Sequence, residues 1–330
     1  MHVAKIVHVY PKSFGFGGIE NYIEGHKHFF SKEEIEVVWE TSPDTRKDSV
    51  NIFHSFLPKV MLQLILFITM HKRRVIVVAH HHPPEYCKNK MKLTIYLTLF
   101  GYIIRFLRIR DFILFLVHTE KENSSLVKFL GNINTHILPI GLRSDVKIQK
   151  VNNVAEINKR FDFITIARND DVKRLRLVFE LARKLPSTNF LLISTLDDKA
   201  QFPANLTIYQ NVDENAKFEM LSQSRFYFSP SAYESLGIAI AEAESIGIPA
   251  LVDLNTGYLS AVDHNDLTHL TYELNTLEDQ INKLLSLSEN DYLDLSQRAK
   301  IRAEKVSWQF QCKRFEKLLE QCHNNDDIIY

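Results

Sequence analysis

Residues 229–252 read Ser-Pro-Ser-Ala-Tyr-Glu-Ser-Leu-Gly-Ile-Ala-Ile-Ala-Glu-Ala-Glu-Ser-Ile-Gly-Ile-Pro-Ala-Leu-Val, and this stretch decides the expected fold. The pattern predicts a strand end, a loop, a helix that begins near Gly237, and a turn into a second strand. Free backbone N–H groups and the positive dipole end make such a helix start an anion site. Glu234 and Glu242 flank this start, and their carboxylates suit the hydroxyls of a sugar and a ribose. The alternative is a capped surface helix with solvated glutamates.

Apolar strand candidates alternate with helix candidates on both sides of this stretch. Continuous apolar runs indicate strands covered on both faces, as in a parallel sheet. We therefore predict an α/β protein with two doubly wound, Rossmann-like domains that face a central cleft, at 1–143 and 144–307. The predicted strands are 3–10, 36–40, 74–81, 112–118, 136–139, 161–167, 190–195, 207–212, 226–229 and 250–253. The predicted helices are 18–31, 59–72, 91–110, 120–130, 174–185, 215–223, 238–246, 276–287, 291–305 and 308–321.

The amino-acid composition excludes several classes of protein. The chain has 330 residues, 45% hydrophobic and 24% charged, with ten Gly and ten Pro, which excludes collagen-like and low-complexity chains. Its three cysteines form no Cys-x-x-Cys pair, which favours a reducing compartment. The longest uncharged apolar runs have 11 and 12 residues, at 60–70 and 93–104. A membrane span needs about 20. With no secretory signal visible, we expect a cytoplasmic location.

The net charge of zero hides two oppositely charged halves. Residues 1–150 contain 21 Lys and Arg against 13 Asp and Glu, and the remainder contains 19 against 27. Within 51–118 there are ten basic and two acidic residues. This basic region predicts contact with an anionic membrane surface, with a peripheral position on the inner face. An ordinary sheet-packing helix with basic ends is the alternative.

Two further loops carry groups suited to phosphate. Arg168 and Lys173 follow the predicted strand 161–167, and cations at the carboxyl end of a strand suit a pyrophosphate. A solvated loop that pairs with Asp170 and Asp171 is the alternative. Gly17 and Gly18 follow the first predicted strand, where glycines let the backbone approach a ligand. Their spacing does not support a dinucleotide fingerprint, and an ordinary turn would also explain them.

These motifs together resemble the retaining GT-B glycosyltransferases, specifically glycosyltransferase family 4, the group 1 glycosyltransferases. Glu234, Glu242, Gly247 and Pro249 match the family's Glu-x7-Glu and Gly-x-Pro pattern. Arg168 and Lys173 match its Gly-Arg-x4-Lys pattern, with Ala167 in place of Gly. Gly17 and Gly18 match its Gly-Gly-x-Glu loop, and weaker matches lie at 139–142 and 306–308. The last matches the point where the family's chain returns to the first domain, so helix 308–322 is expected to pack back on it.

The resemblance assigns roles to these residues. Glu234 would hold the donor sugar, Glu242 the ribose, and Arg168 and Lys173 the phosphates, with Glu234, Arg168 and Lys173 also catalytic. Gly17 and Gly18 would face the phosphates, and the Ser235-Leu236-Gly237 segment would lie against the donor. Domain 1–143 would bind the acceptor and domain 144–307 the nucleotide-sugar donor.

A His before a Pro-containing turn faces the reacting sugar in the family. His82 fits best and His81 remains open, as does a structural role. Adjacent strand residues point to opposite faces, so His80 to His82 do not suit one metal ion. One departure concerns the loop after strand 250–253, where Asn255-Thr-Gly257 replaces the family's Gly-Gly-x-x-Glu.

The resemblance implies an enzyme, a retaining hexosyltransferase-type glycosyltransferase. It would use a nucleotide-diphosphate sugar, with a UDP-sugar as first candidate, and a glycan or lipid-linked saccharide acceptor in cell-surface polysaccharide or glycoconjugate synthesis. The chain has no Asp-x-Asp motif, so no cofactor and no metal is expected, and nothing predicts nucleic-acid binding. A non-catalytic GT-B scaffold and a GT-B epimerase or phosphorylase remain the alternatives.

Overall fold

The computed structural model of the protein describes residues 3–10, 18–31, 33–54, 57–79, 83, 86, 90–139, 141–142, 159–196, 201–262 and 271–324. The chain divides into two compact units. Unit 1 is Met1–Gly141 with Trp308–Tyr330, and unit 2 is Leu142–Ser307. Each unit contains one six-stranded parallel sheet with helices between the strands. The predicted α/β class with two Rossmann-like domains is therefore confirmed.

The sheet of unit 1 has the strand order β2-β1-β3-β4-β5-β6. Its strands are β1 (Lys5–Val9), β2 (Glu36–Glu40), β3 (Ser49–His54), β4 (Val75–Val78), β5 (Ile113–Val117) and β6 (Asn134–Ile137). Its helices are α1 (Gly18–Phe30), α2 (Pro58–His71), α3 (Lys90–Phe106), α4 (Glu120–Leu130) and α11 (Trp308–Asn324). Residues of α2, α3 and α4 share one buried cluster with β1, β3, β4 and β5. These three helices therefore cover the same face of the sheet.

The C-terminal helix α11 packs within unit 1 against α1. The His26 and Phe315 rings stack at 4.6 Å between centroids. The indole of Trp308 lies against Gly25 and Gly141, where a Cβ on either glycine would overlap the ring. The packing of helix α11 therefore requires glycine at both positions, because any larger residue would overlap the Trp308 ring.

The sequence pattern predicts no strand at 49–54, and that prediction is wrong, because strand β3 lies there. All six of its residues are buried, although Ser49, Asn51 and His54 are polar. The Asn51 amide accepts from Asp44 N at 2.7 Å and donates to Asp44 O at 2.8 Å. His54 hydrogen-bonds to His8 at 2.7 Å. The polar side chains are satisfied internally, so the strand is buried without an apolar run.

The sheet of unit 2 has the strand order β12-β11-β10-β7-β8-β9. Its strands are β7 (Phe161–Ile166), β8 (Phe190–Ile193), β9 (Leu206–Tyr209), β10 (Ser224–Ser229), β11 (Ala250–Asp253) and β12 (Thr271–Tyr272). Its helices are α5 (Arg176–Lys184), α6 (Glu214–Ser222), α7 (Ile238–Ser245), α8 (Tyr258–Ala261), α9 (Leu277–Leu285) and α10 (Glu289–Lys305). The short elements β12 and α8 are not predicted by the sequence pattern.

A buried ion pair fixes helix α7 to its neighbours. Glu244 on α7 and Arg302 on α10 are 0% and 1% exposed, and two guanidinium nitrogens donate to the carboxylate at 2.6 and 2.9 Å. Tyr258, at the start of α8, donates its hydroxyl to the same carboxylate at 2.5 Å. A buried carboxylate with this many donors is compensated for its lost hydration. Glu244 is therefore a structural residue that holds α7 in position.

Helices α2 and α3 are the most apolar long helices of unit 1, with 14 and 17 residues. Among the residues that the structure describes, none of the helices has the length and apolarity needed to cross a bilayer.

Candidate functional site

The candidate site of unit 2 lies at one edge of its sheet. Strands β7, β10 and β11 are direct neighbours, and all three run parallel. Because the carboxyl ends of parallel strands meet at one edge, the loops 167–175, 230–237 and 254–257 lie together there. Ligands of open α/β sheets bind at this edge.

Glu234 occupies the centre of these loops. Its carboxylate Oε1 accepts from Lys173 Nζ at 2.6 Å and from Ser231 Oγ at 2.8 Å. The Glu234 and Lys173 side chains are 18% and 14% exposed. The Glu234 carbonyl accepts from Gly257 N at 2.7 Å, which ties the loop to the segment after β11. Glu234 is thus bound by residues of the two neighbouring loops. It is therefore not the solvated surface glutamate of the alternative interpretation.

Glu242 lies within α7 and pairs with a lysine that the sequence analysis does not identify. Lys217 Nζ, on α6, lies 2.8 Å from Glu242 Oε1, and the two side chains are 13% and 14% exposed. Burial raises the pKa of Glu242, while the Lys217 ammonium opposes this shift. Nothing in the spacing of the sequence links α6 to α7, so Lys217 becomes recognisable only when the two helices are placed together.

The start of α7 has the geometry expected of an anion site. Gly237 precedes the helix with φ 78°, a left-handed conformation that favours glycine. A Cβ at this position would lie 2.5 Å from Ile240 Cδ1. The Leu236 side chain is buried in the core, so only the backbone of Leu236 is available to a ligand, while Ser235 is half-buried. The first N–H groups of α7 have no acceptor within the helix.

Lys173 and Arg168 differ in exposure and in the residues that they contact. Both follow β7, and Lys173 ends a short 3-10 turn at Asp171–Lys173, where it reaches Glu234. The Arg168 side chain is 86% exposed and lies 3.9 Å from Asp170. The structure therefore brings Lys173 to the glutamate loop, whereas Arg168 stands at the same strand end with its guanidinium in solvent. The pairing with Asp170 agrees with the alternative that the sequence leaves open for Arg168.

Arg174 is a site residue that the sequence analysis assigns no role. Its guanidinium donates to the carbonyls of Pro230 and Ser231 at 2.7 and 3.0 Å. It also donates to Asp253 Oδ2, at the end of β11, at 2.5 Å. Arg174 thereby connects the loops that follow β7, β10 and β11. Its position beside Lys173 is the only sequence signal that could have indicated it.

Tyr227 on β10 is buried, and its side chain reaches the end of β7. Its hydroxyl donates to Ile166 O at 3.1 Å. Burial raises the pKa of Tyr227, and the negative charges of Glu234 and Glu242 raise it further.

The predicted site residues of unit 1 are described only in part. Helix α1 begins at Gly18. Gly17, His81 and His82 lie outside the described residues, and their predicted roles stay predictions. Within the described part of the chain, no group of three His, Cys, Asp or Glu side chains is arranged to hold a metal ion.

Solved structures establish the class of fold. HepE from Anabaena in complex with UDP-glucose aligns with a TM-score of 0.67 at 13% identity, over 96% of this chain and 99% of that one. WaaG, a glycosyltransferase involved in lipopolysaccharide biosynthesis, aligns at 0.61 and 15% identity, over 94% and 98%. Sucrose-phosphate synthase from Thermosynechococcus elongatus aligns at 0.64 and 14% identity, over 92% and 77%. The protein has the GT-B fold, as predicted.

A family model matches the sequence of unit 2. Residues 146–306 match the family model of the group 1 glycosyl transferases. This match confirms the resemblance drawn from the motifs, and it is compatible with family 4. No curated protein matches the chain in sequence.

Proposed function

We propose that the protein is a glycosyltransferase that moves a sugar from a nucleotide-diphosphate sugar to a glycan or lipid-linked saccharide. A UDP-sugar is the first candidate donor, and cell-surface polysaccharide or glycoconjugate synthesis is the proposed context. The observation that carries the proposal is the pair of half-buried carboxylates beside the start of α7, each held by a lysine. The match to the group 1 glycosyl transferases supports it, as does the likeness to HepE, whose structure contains UDP-glucose.

The proposed donor site assigns one part of the ligand to each group. Glu242 accepts hydrogen bonds from the ribose, and Glu234 accepts them from the donor sugar. The N–H groups that open α7, together with Lys173 and Arg168, bind the diphosphate. An ammonium has three N–H donors, so Lys173 can bind a phosphate oxygen while it keeps its contact with Glu234. The family resemblance also assigns Gly17 and Gly18 to the donor phosphates, and this role stays a prediction.

The proposed reaction retains the configuration of the anomeric carbon. The bond from that carbon to the β-phosphate oxygen breaks, and the acceptor oxygen bonds to the same carbon on the same face. The acceptor proton passes to the released diphosphate, so no protein nucleophile is needed. Lys173, Arg168 and the α7 start stabilise the charge that develops on the leaving phosphate. His82 is assigned to the reacting sugar.

Metal independence is part of the proposal, because cationic side chains supply the positive charge that a divalent ion would supply. The test measures initial rates with and without a chelator, followed by added manganese. Rates unaffected by the chelator support this point, and rates that it abolishes and manganese restores overturn it.

The experiment for the function incubates the protein with a panel of nucleotide-diphosphate sugars and follows released nucleotide, with and without glycan or lipid-linked acceptors. A transferase releases nucleotide in an acceptor-dependent manner, and product NMR then reports the anomeric configuration. Glu234→Gln should lower turnover about 10–150-fold, as expected for a lost charge-assisted hydrogen bond, whereas Glu219→Gln on the exposed face of α6 should leave it unchanged. Sugar conversion without release identifies an epimerase, and binding without conversion identifies a scaffold; either result rejects the proposal.

A further inference from the structure

Helix α3 has two apolar faces. Leu97, Phe100 and Ile104 are buried against the sheet. At 100° per residue, five other large residues project on the opposite side, within about 80° of one another. These five are 53–86% exposed: Met91, Ile95, Leu99, Tyr102 and Phe106. Contact with the sheet explains the first face, whereas the described residues give the outward face no packing partner that covers it.

Helix α2 repeats the arrangement. Val60, Leu64 and Phe67 are buried, while Leu62, Leu66 and Met70 are 50–68% exposed at a spacing of four residues. Helices α2 and α3 connect the consecutive strands β3, β4 and β5 and cover the same sheet face. Their outward residues therefore lie on the same side of unit 1, and together they are here called the α2–α3 surface. Large exposed apolar patches mark protein or membrane contacts.

The charged side chains of helices α2 and α3 have one sign. Residues 57–74 and 90–110 contain nine Lys and Arg and no Asp or Glu. Lys90 and Lys92 lie in the first turn of α3, where the helix dipole disfavours cations. Their position therefore opposes helix stability, which points to an external anion. Arg105 lies over the Tyr102 ring at 5.1 Å, which joins a cation to the apolar stripe.

We infer that the α2–α3 surface binds an anionic lipid bilayer. The apolar stripe suits the boundary between headgroups and acyl chains, and the flanking cations suit anionic headgroups. Protein interfaces are depleted in lysine, whereas Lys59, Lys90 and Lys92 are exposed on these two helices. A lipid surface therefore fits this composition better than an acidic protein. The inference is independent of the proposed sugar transfer, since lipid binding is measured without donor or acceptor.

The test is flotation of the whole protein with vesicles of phosphatidylglycerol and phosphatidylcholine, or of phosphatidylcholine alone, at low and high salt. We expect binding to the anionic vesicles that weakens with salt. Lys90→Gln and Lys92→Gln should each lower partitioning about fivefold, which corresponds to about 1 kcal/mol per cation. Phe106→Ser should lower it about tenfold. Circular dichroism and activity on a water-soluble acceptor check that the variants stay folded.

Matched variants on other helices test whether any loss of an exposed charge or apolar side chain lowers vesicle binding. Lys313→Gln on α11, Lys283→Gln on α9 and Leu293→Ser on α10 are the controls, because all three residues are exposed. They should bind vesicles like the wild type. Equal binding by wild type and the Lys92→Gln and Phe106→Ser variants overturns the inference, as does absence of binding at low salt. A stable dimer in sedimentation that Phe106→Ser dissociates assigns the surface to a second copy and also overturns it.

Discussion

Replacement of Lys217 by Met removes the ammonium beside Glu242 and keeps the aliphatic stem. The two charged atoms are 2.8 Å apart and the side chains are 13% and 14% exposed, so little solvent remains to rehydrate the carboxylate. A hydrogen bond between charged groups contributes about 1.5–3 kcal/mol. Breaking a fully buried pair costs about 3–5 kcal/mol. We therefore expect Lys217→Met to lower the free energy of unfolding of unit 2 by about 1.5–3 kcal/mol at pH 7.5.

The effect should depend on pH in a definite direction. Burial raises the pKa of Glu242 above its ordinary value of 4.5, and loss of Lys217 removes the group that opposes this rise. Between 4.5 and the raised value, the folded state binds more protons than the unfolded state, so stability falls as pH rises. The variant widens this interval, and its difference from wild type should shrink at pH 5.

The assay is urea unfolding followed by tryptophan fluorescence and circular dichroism at pH 7.5 and pH 5. Glu242→Gln should restore stability in the Lys217→Met background, because no unpaired buried charge remains. Lys184→Met is the matched control, since its pair with Glu278 is exposed on both sides, and it should change little. Equal losses in the Lys217 and Lys184 variants, or a double variant no more stable than Lys217→Met, would refute the reasoning.

Three further predictions concern structural residues. Arg302→Leu should destabilise unit 2 by about 3–5 kcal/mol, because it leaves the Glu244 carboxylate buried and unpaired; the exposed Arg298→Leu should change the denaturation midpoint little. Burial lowers the pKa of His26 to about 3, so stability of unit 1 should be lost as pH falls below about 6.5. His26→Phe should reduce that loss by roughly 2 kcal/mol between pH 6.5 and pH 5 in urea titrations, and His28→Phe, on the exposed side of α1, should not. Gly237→Ala should lower stability by about 1–3 kcal/mol in the same assay, owing to its positive φ and the close Ile240 side chain; an unchanged midpoint would count against the strained turn.

The sequence was informative where local pattern and topology agree. Continuous apolar runs such as 161–166 and 250–253 predict buried parallel strands, and the structure has strands there. The apolar pattern does not predict strand β3, because Ser49, Asn51 and His54 are buried through hydrogen bonds that only the folded chain supplies.

The candidate site likewise contains residues that the sequence predicts and residues that only the structure reveals. Glu234, Glu242 and Gly237 are recognisable because one strand-loop-helix segment contains all three. Lys217 and Arg174 act across elements, from α6 to α7 and from the loop after β7 to those after β10 and β11. Such contacts depend on the tertiary arrangement and leave no spacing in the sequence.

The central claim is that unit 2 binds a nucleoside diphosphate through Glu242 and the cations after β7. Isothermal titration calorimetry of UDP with wild type, Glu242→Ala, Arg168→Ala and the control Glu219→Ala tests it most directly. We predict that Glu242→Ala weakens binding about 10–150-fold, as expected for a lost charge-assisted hydrogen bond, that Arg168→Ala also weakens it, and that Glu219→Ala leaves it unchanged. UDP affinity that is unchanged in both Glu242→Ala and Arg168→Ala would contradict the claim.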